Sequence, residues 1–387
     1  MAPALISDDH STDSVQAIKA KTAEISFNHK EAFAQTPRTT NYETELNGAE
    51  GVAPAKYPNY LPVWDDVKYE PLEPFQEHEH GKDADPTFPD LLANATVEDL
   101  TANIGAEVKG VQLSKLSNAG KDQLALFVAQ KKVVAFRDQD FADLDIKDAV
   151  DYAQYYGPSH IHPASGAPKG HPRVHLVHRS AKDTTAKTYF ETRTNSVTWH
   201  SDVTYELQPP GTTFLYLLDG PTAGGDTLFA NQAEAYRRLS PEFQKRLHGL
   251  KAIHSGHEQA ANALKRGGIV RREPVQHEHP IVRTHPATGE KALYVNPQFT
   301  RAIVGFKKEE SDYLLKFLYD HIALSQDLQA RVKWAPGTVV VWDNRVTAHT
   351  AILDWQDGQV SCEDFLISIV YAKAFAASSL SETHTTS

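Results

Sequence analysis

The sequence predicts a mainly β protein, a sandwich or jelly-roll barrel with helices packed on its outside. Three observations predict it. Short apolar runs recur along the chain, among them TTFLYLL, DTLF, ALYV and TVVVWD. Gly and Pro punctuate the stretches between them, as the turns of an all-β fold require. Regular strand–helix alternation and a Gly-rich phosphate loop after a strand are both missing, which disfavours a doubly wound α/β fold.

The elements follow in chain order. Residues 1 to about 95 are rich in Asp, Glu, Pro, His and Thr. Pro54, Pro58, Pro62, Pro71 and Pro74 interrupt any long helix there, because proline lacks the amide hydrogen and clashes with the preceding turn. Tyr57, Tyr60, Leu61, Trp64, Tyr69 and Phe75 are too apolar for a solvated linker. The expectation for this N-terminal arm, residues 1–95, is partial disorder: a mobile stretch over 1–40, then an extended segment over about 50–90 against the main body. The alternative is disorder up to residue 95. The organised domain is expected over 96–375 and a disordered tail over 376–387.

Regular structure should begin near Val97. GAEVKGVQL alternates apolar and polar residues at Ala106, Val108 and Val111, as a half-buried strand does, with Gly110 as a bulge. Asn118 is expected to cap a helix that carries Leu124, Phe127 and Val128 on one face, and Val133–Phe136 to follow as a buried strand. Residues 309–322 read as an amphipathic helix covering Leu314, Leu315, Phe317 and Leu318.

Composition narrows the function classes. The 387 residues carry a formal charge of −11, which argues against a nucleic-acid surface, since phosphate recognition needs clustered Lys and Arg. The single cysteine, Cys362, excludes an intrachain disulfide and any Cys-rich zinc module. The start, MAPALISDDHSTDSVQ, lacks the pattern of a signal peptide, and no apolar run approaches the roughly 18 residues that span a bilayer. A cytoplasmic protein without membrane or nucleic-acid partners is expected.

His200, Asp202 and His349, within WHSDVTYE and WDNRVTAHTAI, carry the chemistry. In extended backbone, residues two apart project to one face, so His200 and Asp202 can reach a single ion while Ser201 points away. On a helix the same spacing would turn them about 200° apart. His349 lies just beyond TVVVWD and can close the set. Two imidazoles and one carboxylate suit Fe(II) and leave positions open for a 2-oxo acid and oxygen. The clusters His78-Glu79-His80 and His277-Glu278-His279 read instead as solvated polar stretches.

TWHSDVTYELQPPGTTFLYLLDGPTAGGDTLF followed by PGTVVVWDNRVTAHTA resembles the taurine/2-oxoglutarate dioxygenase family, in particular its fungal sulfonate dioxygenase branch. GPSHIHP, LSPEFQKRLHGLKAIHS and ALYVNPQFTRAIVGF extend the likeness over about 95–355. The resemblance implies a double-stranded β-helix, a jelly-roll (cupin-like) fold. It also implies Fe(II) held by His200, Asp202 and His349, with 2-oxoglutarate as cosubstrate. Hydroxylation of an alkyl sulfonate such as taurine beside sulfur would then give an aldehyde, sulfite, succinate and CO2. Thr227, in GGDT, matches a threonine that helps hold the 2-oxoglutarate carboxylate; the other reading is a strand hydroxyl satisfied locally. His162, in HIHP, matches a histidine that contacts the sulfonate, and Ser165 stands where the taurine enzyme has tyrosine. Phe299 lines the pocket or is plain core. Trp199 and Trp342 pack beside the ligands, and Asn344 and Arg345 orient the site. Related enzymes form dimers or tetramers, so a homo-oligomer is an expectation.

One part of the family pattern is missing. Members place an arginine beyond the distal histidine to clamp the far carboxylate of 2-oxoglutarate, and a second to meet an anionic substrate. The counterpart positions here fall near Val360 and Asp364, and Lys373 is the only cation after His349. Three accounts are open: an altered reading of the gene from about Gln359, a variant in which Lys373 or an arginine from elsewhere substitutes, or a protein that binds iron without turnover. Tailoring of an amino acid or a secondary metabolite is the alternative within the same enzyme class.

Overall fold

A computed structural model of the chain describes residues 56–64, 67–179, 189–191, 193–221, 223–265, 268–355 and 365–373, the last stretch by its backbone. The expectations for residues 1–40, for Val360 and Asp364, and for the 376–387 tail lie outside the described residues. Strands in chain order are β1 (Pro62–Val63), β2 (Thr96–Asp99), β3 (Ala106–Lys109), β4 (Val133–Phe136), β5 (Ala167–Pro168), β6 (Val174–Arg179), β7 (Pro210–Asp219), β8 (Thr227–Asn231) and β9 (Lys251–Ser255). They continue with β10 (Gln276–Pro280), β11 (Val282–Thr284), β12 (Lys291–Leu293), β13 (Thr300–Ile303), β14 (Gln329–Val332), β15 (Val339–Asp343), β16 (Thr347–Ala351) and β17 (Phe365–Lys373). The largest sheet has seven strands in the order β2-β3-β4-β15-β7-β17-β6. A three-stranded sheet, β14-β8-β16, and another, β10-β9-β13, complete the larger layers.

Strand alternation explains how this β-rich fold with flanking helices encloses a site. Val134, Phe136, Phe214, Tyr216, Leu218, Val339 and Val341 face one way and pack with Leu124, Phe127, Val128, Ala149 and Val150 from two outer helices, Asn118–Lys131 and Ile146–Gln154. Their neighbours Val133, Ala135, Leu215, Leu217, Val340 and Trp342 face the other way and pack with Phe229, Ala330, Val332 and Trp334 of the β14-β8-β16 side. Both faces of β4, β7 and β15 are therefore covered, which is why they read as unbroken apolar runs rather than as alternating strands.

Several local expectations need correction. Ser117, not Asn118, caps the first long helix: its hydroxyl accepts from Gly120 N at 3.1 Å, while Asn118 is already helical. The late helix runs Lys308–Leu324 and buries Leu315 and Leu318, but Phe317 is half exposed at its edge, against Phe243. The cluster at 277–279 is not uniformly solvated, because His279 is buried and meets Glu206 O at 2.8 Å. Glu79 and His80 are mostly covered as well, on Arg345 and Asp122.

The segment before β2 is fastened to the body. Tyr60 Oη meets Tyr216 Oη at 3.1 Å, and β1 pairs with β5. Tyr69 N donates to Arg271 O at 2.7 Å, and Phe75 exchanges two hydrogen bonds with Gln208. Glu77 is buried 3.6 Å from Arg345 Nη1. Burial pushes its carboxyl up to about 7, against the pull of Arg345 and Arg283 and with the push of Glu79 and Asp343. A folded-state pKa raised in this way favours the fold below the ordinary carboxylate range, and the benefit is lost as pH rises through about 7. Glu77→Gln should therefore gain about 2 kcal/mol over the native chain between pH 5.5 and 8.5. Thermal melts at both pH values check this, and a pH-independent difference would refute it.

Candidate metal centre

His200 and His349 face each other across an isolated antiparallel bridge, joined by His200 N to His349 O at 2.9 Å and His349 N to His200 O at 2.7 Å. This bridge extends the edge of β16, so two ligands far apart in sequence share one backbone register. Asp202 follows two residues after His200, and its Oδ1 lies 3.7 Å from His200 Nε2 and 3.6 Å from His349 Nε2. Together the three residues offer ligand atoms that all lie within 4.8 Å of one another. The expectation of a regular strand at His-X-Asp is only partly met: His200 is bridged, and residues 202–205 form a turn.

That turn is strained and gripped. Val203 takes φ +39, a conformation that a β-branched residue adopts only when its surroundings enforce it. Asn344 supplies the enforcement. Its Oδ1 accepts from Asp202 N at 2.6 Å, and its Nδ2 donates to Asp202 O at 3.0 Å and Pro210 O at 3.1 Å. Ser201 Oγ donates to Thr347 O at 2.7 Å, pointing away from the ligand atoms.

Protonation states suit a cation. His200 Nδ1 donates to Thr198 O at 2.8 Å, which leaves Nε2 with a free lone pair. Burial lowers the pKa of His200, the bond to Thr198 opposing; burial and the neighbouring His200 hold His349 well below the usual imidazole range. Both rings are thus neutral near pH 7. Burial pushes the Asp202 carboxyl up to about 8, and its buried Oδ2 has no hydrogen-bond partner among the described residues. An orphaned buried carboxylate oxygen beside two imidazole lone pairs fits a divalent ion, which would supply the missing partner.

The remaining sequence-selected residues lie around this set. Phe299 is buried, with its ring edge-on to His200 at 6.0 Å and to Tyr205 at 5.1 Å. Trp342 lies 5.1 Å from the His349 ring, and Trp199 packs in the apolar cluster under β12 and β13. Thr227 opens β8, two residues before the Phe229 that stacks on His349, and its Oγ1 accepts from Trp334 Nε1 at 3.2 Å. His162 is buried, and its Nδ1 accepts from Ala164 N and Ser165 N, so the proton sits on Nε2 and is available to an anion.

Other residues here escaped the sequence reading. His175 stacks on His162 at 4.4 Å and meets Ser165 Oγ at 2.5 Å; burial and then Arg271 drive its pKa down to about 3. Arg271 Nη2 donates to His162 O at 3.1 Å, which places a guanidinium beside both rings. Behind them Glu206, His160 and Arg272 form a buried ion cluster. Burial would raise Glu206, but hydrogen bonds from His160 and Arg272 hold it well below the carboxylate range. His175, Arg271 and Arg272 lie in no motif the sequence singles out, and nothing local marks Glu206 or His160, within WHSDVTYE and GPSHIHP, as an ion pair.

Comparison with known proteins bears on this geometry. The family model described as taurine catabolism dioxygenase TauD, TfdA family matches residues 96–361. An alpha-ketoglutarate-dependent sulfonate dioxygenase of Saccharomyces cerevisiae is 47% identical over 309 residues, covering 78% of this chain and 75% of the yeast protein. An alpha-ketoglutarate-dependent dioxygenase of Penicillium expansum is 44% identical over 328 residues, covering 84% of this chain and 87% of its own. Among solved structures, a taurine dioxygenase from Burkholderia xenovorans superposes with a TM-score of 0.58 at 31% identity, covering 73% of this chain and 91% of that one.

Proposed function

The chain belongs to the TauD/TfdA dioxygenase family, and on that premise we propose that it is an Fe(II)- and 2-oxoglutarate-dependent dioxygenase acting on an alkyl sulfonate such as taurine. The observation that carries this reading is the convergence of His200, Asp202 and His349, with neutral imidazoles and one orphaned carboxylate oxygen. Three ligands on one face would leave positions for a cosubstrate and O2, and the bound metal would supply the oxygen chemistry. The products are an aldehyde, sulfite, succinate and CO2. The seven-stranded sheet opposite β14-β8-β16 is read as a double-stranded β-helix of the jelly-roll type, occupying residues 96–375.

This chain's own residues divide the remaining work. His162 would donate Nε2–H to the sulfonate, with the Arg271 charge close behind it. Phe299 would wall the pocket beside His200. Thr227 would meet the far carboxylate of 2-oxoglutarate at the cost of sharing its hydroxyl with Trp334. No helix among the described residues is long and apolar enough to cross a membrane. We read the protein as cytoplasmic, with small molecules and O2 as partners, no nucleic acid, and a homo-oligomer as the expected assembly.

The test is a panel of alkyl sulfonates, sulfate esters and amino acids at saturating 2-oxoglutarate, read for succinate and sulfite together. Sulfite formed one for one with succinate on an alkyl sulfonate is expected. Succinate coupled only to hydroxylation of an unsulfonated substrate would overturn the substrate assignment while leaving the enzyme class intact.

A further inference from the structure

We propose that Glu79, in the segment preceding the family-matched domain, is a positioning residue for the metal centre and acts through Arg345 and Asn344 on Asp202. This rests on the reading of His200, Asp202 and His349 as metal ligands. The family-model match begins at residue 96, so Glu79 lies outside it.

The path runs through direct contacts or adjacent residues at every step. Glu79 Oε2 accepts from Arg345 Nη1. The other edge of the guanidinium grips Asp343, Nε to Oδ1 at 2.9 Å and Nη2 to Oδ2 at 2.6 Å. Asp343 Oδ1 also accepts from Arg345 N at 3.0 Å, and Asp343 Oδ2 from His285 Nε2 at 2.8 Å, His285 Nδ1 being occupied as an acceptor for Ala287 N and Thr288 N. Burial would raise the Asp343 carboxyl, but the Arg345 and His285 partners hold it far below the carboxylate range. Residues 343–346 thus form a turn locked from behind. From its front, Asn344 clamps the backbone of Asp202 on both sides, and the same turn leads directly into β16, which carries His349. Two of the three ligands are therefore aimed by one turn, whose rear anchor is completed by Glu79.

Glu79 is itself held in place. Lys82 N and Gly81 N donate to its carbonyl and carboxylate, at 3.0 and 3.3 Å. His80 next to it bonds Asp122 at 2.7 Å and lies 4.3 Å from the Tyr155 ring. Gly81 has no room for a side chain: a Cβ there would stand 3.0 Å from Ala287 Cβ. A planar fork satisfied on both edges has one orientation, whereas a buried guanidinium released at one edge can pivot and carry Asp343 and Asn344 with it. Outer partners of this kind govern metal affinity as well as stability.

The experiment is a Co(II) titration of the full chain, followed by visible absorption, for the native protein, Glu79→Gln, Asn344→Ala and the double variant. Glu79→Gln is expected to weaken Co(II) binding about tenfold. In the Asn344→Ala background the same change should cost less than about twofold, because the path is already cut. Glu79→Asp, which keeps the charge, should recover most of the loss. Native-like Co(II) affinity in Glu79→Gln, or two losses that simply multiply, would overturn the proposal. If Glu79→Gln does not fold, Arg345→Lys replaces it, and native-like affinity there overturns the proposal equally. Asp202→Ala separates the premises: Co(II) binding that survives it sinks the metal reading, whereas its loss beside an unaffected Glu79→Gln sinks only this inference.

Discussion

Asp202→Ala should lower Fe(II) or Co(II) affinity by more than about a hundredfold and remove turnover with it, since losing a ligand exceeds the usual effect of losing a ligand's support. Asp202 contributes the only negative charge of the three ligands, and its Oδ2 has no other partner among the described residues. The carboxyl is raised to about 8 by burial, so metal entry near neutrality must displace its proton. Affinity of the native chain should consequently climb about tenfold per pH unit up to roughly pH 8, with one proton released per metal. Without metal the sign reverses. A group whose folded pKa is raised destabilises the fold as pH increases, so Asp202→Asn should melt higher than the metal-free native chain at pH 9, with the difference shrinking as pH falls toward 4. Function and stability oppose each other at this position, as expected for a site built to hold a cation. Calorimetric metal titrations in two buffers of different ionisation enthalpy measure the proton release, and metal binding without it would contradict this account of the carboxylate.

The second large effect concerns the cosubstrate. β17 takes the place between β7 and β6, and its register sets Ile367 opposite Leu217 on one side and Val177 on the other. Leu217 N donates to Thr338 O at 3.2 Å, and Leu217, Val332 and Trp334 share one apolar cluster, with Trp334 Nε1 bonded to Thr227. By register Ile367 is thus the β17 position paired with Leu217, itself a member of that apolar cluster. Lys373 is six residues further along the strand, about 20 Å away along the backbone. Arg331 is engaged by Asp226 and by Asp354 at 3.0 Å. An uncompensated carboxylate in such surroundings costs about 3 kcal/mol, on the order of a hundredfold in affinity. The iron-loaded chain should therefore bind 2-oxoglutarate weakly, and Ile367→Arg should tighten it by about ten- to a hundredfold. Val360→Arg, at the counterpart position the family resemblance implies, should do less. Anaerobic titration of the charge-transfer absorbance distinguishes the three. Micromolar binding by the native chain would show that another cation serves.

How much of this was legible beforehand depended on whether the relevant residues are neighbours in sequence. His200 and His349 lie in extended backbone and Asp202 two residues on, so the ligand set is legible from spacing and residue type, although Asp202 itself sits in a turn. The buried strands Val133–Phe136 and Val339–Asp343 were readable for the same reason. Periodicity reads Asn118 as the cap and Phe317 as covered, because a cap and a helix edge depend on differences of one residue, which it does not resolve. The sequence reads Glu79 as a solvated charge because most Glu residues are, and nothing local indicates that Arg345 waits across the fold to receive it.

By itself the sequence determined the ligand chemistry and the β-rich frame, since both follow from alternation and from which atoms can bind a ferrous ion. Only the tertiary structure decided that His175 and Arg271 stand beside His162, that Glu79 closes the anchor behind Asp202, and that Ile367 pairs between Leu217 and Val177. Those placements arise from long-range packing and strand register, in which a shift of one residue reverses every face.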